Sequence, residues 1–342
     1  MTQLSGLHSG HRTDVLYHLP GQEIAMKKIG FVATLGACWM AMGYAQPLEG
    51  GSGLETIQIR PNVFVIFGAG ANITVHVGED ATILVDSGSA DRADDVLEAI
   101  RAISDRPIGM IINTSAHPDH AGGNHALAST GIPIAGAPFG ASPTANVLAH
   151  ENVLLRMADE GVLPYEDWPN ETYTSRVRSM YINDDGIVVM RQAGAHSDGD
   201  SIVHFRRADV IATGAILDLR HFPVIDPAKG GSIQGELAAL NHLLEITIPA
   251  MPLVLKPGRT LLVPGHGYIS DYAELVEYQN MVTIIHDRVK DLVDKGMSLE
   301  EVQAANPTQG YRGRYGSETG PWTTEMFVEA IYDGLKNPPV VE

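Results

Sequence analysis

The sequence contains very little cysteine. Cys38 is the only cysteine among 342 residues, and it lies close to the N-terminus. A chain with one cysteine cannot form an internal disulfide bond. If the N-terminal residues are removed, no thiolate is left to bind a metal or act as a nucleophile. Any metal ligands in the remaining chain are therefore expected to be His, Asp or Glu.

Basic residues are also scarce. The chain has 23 Lys and Arg residues against 41 Asp and Glu residues, which gives a formal net charge of −18. Removing residues 1–45, which carry three basic and two acidic residues, brings this charge to −19. Such a chain repels a phosphate backbone, so we do not expect a nucleic acid partner.

Long apolar runs are missing after residue 43. No later segment has the 18 or so uninterrupted apolar residues of a membrane-spanning helix, so no membrane span is expected. The run at residues 29–43 follows Lys27 and Lys28 and ends in a small-x-small cleavage site at Gly43–Ala45. This arrangement predicts a secretory signal peptide within residues 1–45 and a periplasmic or secreted mature chain that begins at Gln46.

An alternative interpretation of the N-terminal region is a lipoprotein signal that is cleaved before Cys38. The residues that follow this cysteine are still apolar, unlike the hydrated tether of a lipoprotein. We therefore rank this alternative second.

Short β-type runs are concentrated at the start of each half of the mature chain. We predict strands at residues 56–59, 63–67, 73–77, 82–85 and 108–112, and later at 187–190, 202–205, 210–213 and 261–263. Helices are predicted after Ser89, near Ala141–Glu160 and from Leu275 to a stop at Gly296. This order predicts an α/β fold with two packed sheets covered by helices. We expect one domain over residues 46–296, with a helical segment at 297–342 packed on it.

The densest group of chemically reactive side chains follows the predicted strand 108–112. His117, Asp119 and His120 lie there in one loop. If the loop is extended, His117 and Asp119 point one way and His120 the other, so the loop can serve two adjacent metal pockets. Both residue types suit zinc.

Two further histidines lie in glycine-containing loops at strand ends. His196 lies in the segment Gly194–Asp200, and His266 directly follows the predicted strand 261–263. Each of these residues alone is more often an ordinary loop histidine. Asp200 is interpreted as a turn residue, and Trp322 as a packing residue rather than a wall of a substrate cleft.

Together these segments resemble the metallo-β-lactamase superfamily over about residues 56–292. The family pattern is His-x-His-x-Asp-His after a strand, followed by a third His, an Asp after a later strand and a last His in a Pro-Gly-His-Gly-like loop. The segment Ile83–Gly88 is similar to an earlier family strand whose Asp, here Asp86, braces the metal loop. The resemblance implies a four-layer αββα sandwich with the metal site at one edge.

The sequence departs from the family pattern at two positions. Ser115 stands at the first His, and Ala215 stands at the later Asp. By this resemblance, the first metal pocket keeps only His117 and His196. The second pocket keeps three ligands, which are Asp119, His120 and His266. Three protein ligands and an open position are what a catalytic zinc requires, so we expect one tightly bound zinc ion and at most a weak second one.

The resemblance implies a zinc-dependent hydrolase that acts on a small-molecule ester, lactone or amide such as a β-lactam, through a metal-activated water. Asp119 is the predicted catalytic residue, because it could orient the water or accept its proton as well as bind the metal. The alternative is a metal-depleted member of the family that binds a ligand or zinc without turnover. Ser115 and Ala215 motivate this alternative.

The predicted signal peptide gives the first test. We expect the exported protein to begin at or near Gln46, because signal peptidases cleave after the small residue of such a site. N-terminal sequencing of the exported form measures this directly. An exported chain that still carries residues 1–25 would contradict the prediction.

Overall fold

The computed structural model describes residues 48–49, 53–134, 143–161, 163–250 and 258–338. The predicted signal peptide, its cleavage site and Cys38 lie outside the described residues.

The first sheet comes from the first half of the chain and has eight strands in sequential order. Its first five strands are antiparallel, and the remaining ones run parallel to the fifth. In order, they are β1 (Leu48–Glu49), β2 (Glu55–Arg60), β3 (Val63–Phe67), β4 (Ile73–Val77), β5 (Thr82–Val85), β6 (Ile108–Ile112), β7 (Asn146–His150) and β8 (Glu171–Tyr173). Parallel strands need long crossovers, and helices form these connections. The helices are α1 (Ala93–Ile103), α2 (Pro118–Ala121), α3 (Asn124–Ala128) and α4 (Glu151–Glu160).

The second sheet has five strands in the order β13-β12-β11-β10-β9. They are β9 (Val177–Ile182), β10 (Asp185–Arg191), β11 (Ser201–Phe205), β12 (Val210–Asp218) and β13 (Leu261–His266). The last two strands are parallel, and α5 (Ile233–Ile246) lies in the crossover between them. The chain continues into α6 (Tyr272–Asp294), α7 (Leu299–Ala304), α8 (Arg312–Tyr315) and α9 (Thr324–Lys336).

Apolar side chains fill three layers between these elements. One layer lies between the two sheets and joins residues such as Val65, Ile83 and Ile112 to Val189, Val203 and Phe205. A second layer packs the outer face of the first sheet against α1 and α3. A third packs the outer face of the second sheet against α5, α6, α7 and α9. The predicted αββα sandwich is therefore confirmed.

Helix α6 shows how the sequence pattern produces this packing. Its buried residues recur every three or four positions, which places them on the face that packs against α5 and α9. Gly296 follows the helix with a φ of +81°, a conformation that costs glycine little, and this explains why the helix stops there.

The structure corrects two of the predicted elements. The predicted helix near Ala141–Glu160 is wrong in its first part, because residues 146–150 form β7 in the first sheet and helix α4 begins only at Glu151. The apolar residues of β7 are buried on both faces of a parallel sheet, and such a strand has no alternation that distinguishes it from a buried helix. Ser89 precedes a short 3-10 helix and makes no side-chain cap, so α1 begins later than expected.

Among the described helices, none combines the length and apolar composition that crossing a bilayer requires.

The third layer depends on the C-terminal helix α9, and this gives a prediction. Phe327 on that helix is fully buried and stacks on Phe222, with ring centroids 4.8 Å apart. The substitution Phe327→Ala should lower the free energy of unfolding by about 3–5 kcal/mol, because it leaves a large cavity in the core.

The neighbouring Met326 is 38% exposed and provides a matched control. Met326→Ala should change stability by less than about 0.5 kcal/mol. Both variants can be measured by urea unfolding. A Phe327→Ala variant as stable as the control would show that the C-terminal segment is not part of the cooperative domain.

Candidate metal centre

Four strand ends of the two sheets position the candidate ligands. His117 and His120 follow β6, His196 lies between β10 and β11, and His266 is the last residue of β13. The loop after β6 is not extended from His117 to His120, so the condition for the predicted alternation of their side chains is not met. Pro118 begins the one-turn helix α2, with His117 as its N-cap residue. Proline fits the first helical position because its fixed φ suits a helix and its missing N–H is not needed there.

A reciprocal pair of amides closes the loop that carries these residues. Asn113 donates to Oδ1 of Asn124 at 3.0 Å, and Asn124 donates back to Oδ1 of Asn113 at 2.8 Å. Both side chains are fully buried. Buried amides satisfied in this way fix the two ends of the loop relative to each other.

The structure brings together Asp119, His120 and His266. One ligand atom from each residue can be chosen so that all three atoms lie within 4.8 Å of one another. Nε2 of His266 lies 3.0 Å from Oδ2 of Asp119, and the rings of His120 and His266 are nearly perpendicular. One carboxylate oxygen and two imidazole nitrogens are a donor set that suits zinc, so these residues fit the metal that the sequence implies.

Asp86 holds His120 in place on the side of the imidazole that faces away from the candidate pocket. Its Oδ2 accepts hydrogen bonds from Nδ1 of His120 and from the hydroxyl of Thr114, both at 2.7 Å, and its Oδ1 accepts from the Thr114 amide at 2.8 Å. The carboxylate thereby keeps a proton on Nδ1 of His120 and leaves Nε2 facing the candidate pocket. The structure thus places Asp86 in the bracing position expected from the sequence.

The carboxylates around His120 change its protonation. Burial of this imidazole disfavours its charged form, but the negative charges of Asp86 and Asp119 outweigh burial and raise the pKa of His120 to about 9. Burial likewise disfavours an ionised Asp119. The charge of His120 and hydrogen bonds from His117 and His266 nevertheless hold the pKa of Asp119 well below its usual range. His120 and Asp119 are therefore both charged at neutral pH.

The remaining two histidines face each other beside this pocket. The ring centroids of His117 and His196 are 6.3 Å apart, and Nδ1 of His117 donates to Oδ1 of Asp119 at 2.6 Å. His196 donates from Nδ1 to the backbone oxygen of Val224 at 2.9 Å, which leaves its Nε2 free to bind a ligand.

Neither of the two residues that depart from the family pattern supplies a metal ligand to this first pocket. Ser115 is buried, and its hydroxyl accepts a hydrogen bond from the backbone amide of His117 at 3.3 Å. Ala215 has no donor atom, and the nearest later carboxylate, Asp218, is bound to His221 and to the amide of Arg220. Two imidazoles alone fit a second metal ion poorly.

Two glycines allow the strands to approach the site closely. A Cβ on Gly265 would lie 2.6 Å from the backbone oxygen of Gly214 and 3.1 Å from Cε1 of His120. A Cβ on Gly214 would lie 2.3 Å from the hydroxyl of Thr114. A larger residue at either position would push β12 and β13 away from the loop after β6.

A cleft of about 400 Å³ opens beside the pocket. It is lined by the candidate ligands His117 and His266 and by polar and apolar groups that include Arg220, His221, Val224, Thr319 and Trp322. Trp322 therefore borders the cleft, while it also packs against the outer core, so the packing interpretation was incomplete. Asp200 accepts hydrogen bonds from the amide and hydroxyl of Ser197, as expected of a turn residue.

Three groups around the site were not predicted from the sequence. Arg220 contacts His266, with 2.9 Å between its Nη2 and Nδ1 of the imidazole. Asn72 ties the end of β13 to the first sheet by donating to the backbone oxygen of Pro264 at 2.8 Å. The Asn113–Asn124 pair was also missed. The glycines next to Asn124 were a signal for a closed loop, but nothing in the sequence indicated Arg220.

Comparison with known proteins identifies the family. The family model for the metallo-beta-lactamase superfamily matches residues 67–279, and the chain belongs to this superfamily. The predicted family is thereby confirmed. Among curated proteins, none matches the sequence.

Solved structures share the fold at low sequence identity. A metallo-beta-lactamase from Pontibacter korlensis is 17% identical with a TM-score of 0.53, over 67% of this chain and 99% of that one. The stereoselective inverting sec-alkylsulfatase Pisa1 from Pseudomonas sp. is 15% identical with a TM-score of 0.61, over 81% of this chain and 49% of that one. At these identities the likeness shows the αββα fold.

The raised pKa of His120 predicts how zinc affinity depends on pH. Below about pH 9, zinc must displace a proton from His120. Affinity should therefore rise about tenfold per pH unit towards pH 9 and then level off. Zinc titrations against a competing chelator from pH 6.5 to 9.5 measure this slope.

The variant Asp86→Asn tests whether the carboxylate of Asp86 causes this pH dependence. Removing the carboxylate lowers the pKa of His120, so the slope should flatten at a lower pH, whereas Asp91→Asn on the exposed surface should leave the profile unchanged. A wild-type affinity that does not change with pH would contradict the prediction.

Proposed function

We propose that this protein is a metal-dependent hydrolase that uses one zinc ion held by Asp119, His120 and His266. The observation that carries this proposal is the convergence of these three donors beside a cleft open to small molecules. The membership of the chain in a superfamily of mostly metal-dependent hydrolases supports the same reaction class. The proposed substrates are small esters, lactones or amides, for example β-lactams.

In this proposal, different residues of the chain hold the metal ligands in place and act on the water. A bound metal ion would supply Lewis acidity for hydrolysis of a carbonyl compound. Asp86 holds His120 in the tautomer that can bind the metal, and Val224 does the same for His196 through its backbone oxygen. Asp119 is the proposed catalytic residue, because its ionised carboxylate lies at the centre of the histidines and could orient a water or accept its proton.

The alternative proposal is a protein that binds zinc or a ligand without turnover. The incomplete first pocket around Ser115 supports it, because only His117 and His196 remain there. The intact group of Asp119, His120 and His266 favours the enzyme. We further propose that the protein works in the periplasm or outside the cell, on the basis of its predicted signal peptide.

The test of this function combines metal content with turnover. The purified protein should contain one tightly bound zinc ion, and hydrolysis of a chromogenic ester, lactone or β-lactam should require it. An alkyl sulfate belongs in the same panel, because a sec-alkylsulfatase shares the fold. His266→Ala removes one of three ligands, so zinc affinity should fall by more than about a hundredfold and turnover should be lost.

The variant His125→Ala is the matched control, because this exposed histidine lies on α3 outside the candidate site. It should retain both zinc and turnover. Turnover that survives His266→Ala with metal still bound would show that the chemistry lies elsewhere. Tight zinc binding without turnover on any substrate of the panel would favour the alternative.

A further inference from the structure

The C-terminal part of the chain forms one side of the cleft beside the metal pocket. Ser317, Thr319, Pro321 and Trp322 line the cleft there, in the segment between α8 and α9. The candidate metal ligands lie within residues 67–279, which match the family model, whereas this segment lies beyond them. Membership in the family therefore does not predict this side of the cleft.

Hydrogen bonds between its two ends close this segment. The backbone amide of Thr324 donates to the backbone oxygen of Ser317 at 2.8 Å, and the amide of Ser317 donates to the hydroxyl of Thr324 at 3.1 Å. Between them, Gly320 has a φ of +101°, which residues other than glycine rarely adopt. A segment fixed in this way has little conformational entropy to lose when a ligand binds.

Val224 adds apolar surface to the cleft from the loop after β12. Its backbone oxygen accepts a hydrogen bond from Nδ1 of the candidate ligand His196 at 2.9 Å. Pro321 and Trp322 contribute apolar surface from the C-terminal segment. Together, Val224, Pro321 and Trp322 form the apolar wall of the cleft, and this wall begins next to a candidate metal ligand.

Trp322 presents carbon atoms to the cleft rather than a hydrogen-bond donor. The single polar atom of its side chain, Nε1, is buried and has no hydrogen-bond partner among the described residues. The residue as a whole is partly exposed. The exposed surface of the indole is therefore carbon, and the transfer of an apolar group from water onto such a surface is favourable.

We propose that the apolar wall selects substrates that carry an uncharged hydrocarbon group beside the bond that is hydrolysed. The cleft of about 400 Å³ lies at the small end of the range for ligand sites, which favours a group of about one ring. This inference rests on the proposed function, because it takes the metal pocket to be the reaction site. It adds the class of substrate and assigns its recognition to the C-terminal segment.

The first experiment measures selectivity through the protons released by ester hydrolysis. Ethyl acetate, ethyl phenylacetate and ethyl cyclohexylacetate differ only in the hydrocarbon group on the acyl side. The wild type should have a higher kcat/KM for the two larger esters, and Trp322→Ala should reduce this preference about tenfold, because apolar contact area is lost. Trp322→Phe should keep most of the preference, because an aromatic ring remains in the wall.

A second variant is needed because Trp322 also packs against the outer core. Pro321 is exposed, so Pro321→Asp places a charge in the apolar wall without altering the core. It should likewise lower the preference for the larger esters. The matched control is Tyr165→Ala between α4 and β8, where an aromatic residue is 75% exposed, and it should behave as wild type. A preference unchanged in both wall variants would overturn the proposal.

NMR of the indole groups tests binding without turnover. The chain has three tryptophans, and Trp322→Phe identifies the signal of Trp322 by its loss. The probe is 2-phenylethanol, which is uncharged and has no bond to hydrolyse. Its ring current should shift the indole N–H signal of Trp322, and Pro321→Asp should weaken this binding several-fold. A Trp322 signal that does not move at saturating probe would overturn the proposal.

The two readouts distinguish this inference from the proposed function. If no ester is hydrolysed but 2-phenylethanol binds at Trp322 and Pro321→Asp weakens it, the proposed hydrolysis fails while the apolar site stands. If esters are hydrolysed with the same preference in the wild type and in both wall variants, the apolar site fails while the hydrolase stands.

Discussion

The buried carboxylate of Asp86 is the interaction on which the site depends. It accepts three hydrogen bonds, two from Thr114 and one from His120, and so joins the end of β5 to the loop after β6. Asp86 adopts a φ of +63°, which costs a residue other than glycine about 1–3 kcal/mol. Hydrogen bonds to a charged group contribute about 1.5–3 kcal/mol each, so three of them outweigh this cost. The same contacts set the tautomer and charge of His120.

Much of the fold could be predicted from the sequence, because its strands have strong local signals. The runs at Val63–Phe67 and Ile108–Ile112 are apolar and bounded by turn residues, and both proved to be strands with those bounds. Strand β7 was missed because a strand buried on both faces has no alternating pattern. Its partners β6 and β8 are distant in sequence, so only the tertiary structure distinguishes it from the start of a helix.

The candidate site was partly predictable for a similar reason. His117, Asp119 and His120 lie close together in the sequence, and the resemblance to a family supplied His196, His266 and Asp86. The structure places all six at one edge of the sandwich. Arg220 and Asn72 could not be found in this way, because each acts through a contact with the end of β13, far away in the sequence. A lone arginine or asparagine carries no local signal for such a contact.

The donors of the metal pocket come from both sheets, since Asp119 and His120 follow β6 of the first sheet whereas His266 ends β13 of the second. An ion held by these residues would therefore act as a cross-link between two halves of the sandwich that otherwise meet mainly through apolar packing. A ligand that binds only the folded chain stabilises it by an amount that grows with the logarithm of the ratio of its concentration to its Kd. A chain with one cysteine cannot form an internal disulfide bond, so such an ion would provide the kind of cross-link that disulfide bonds provide in other proteins.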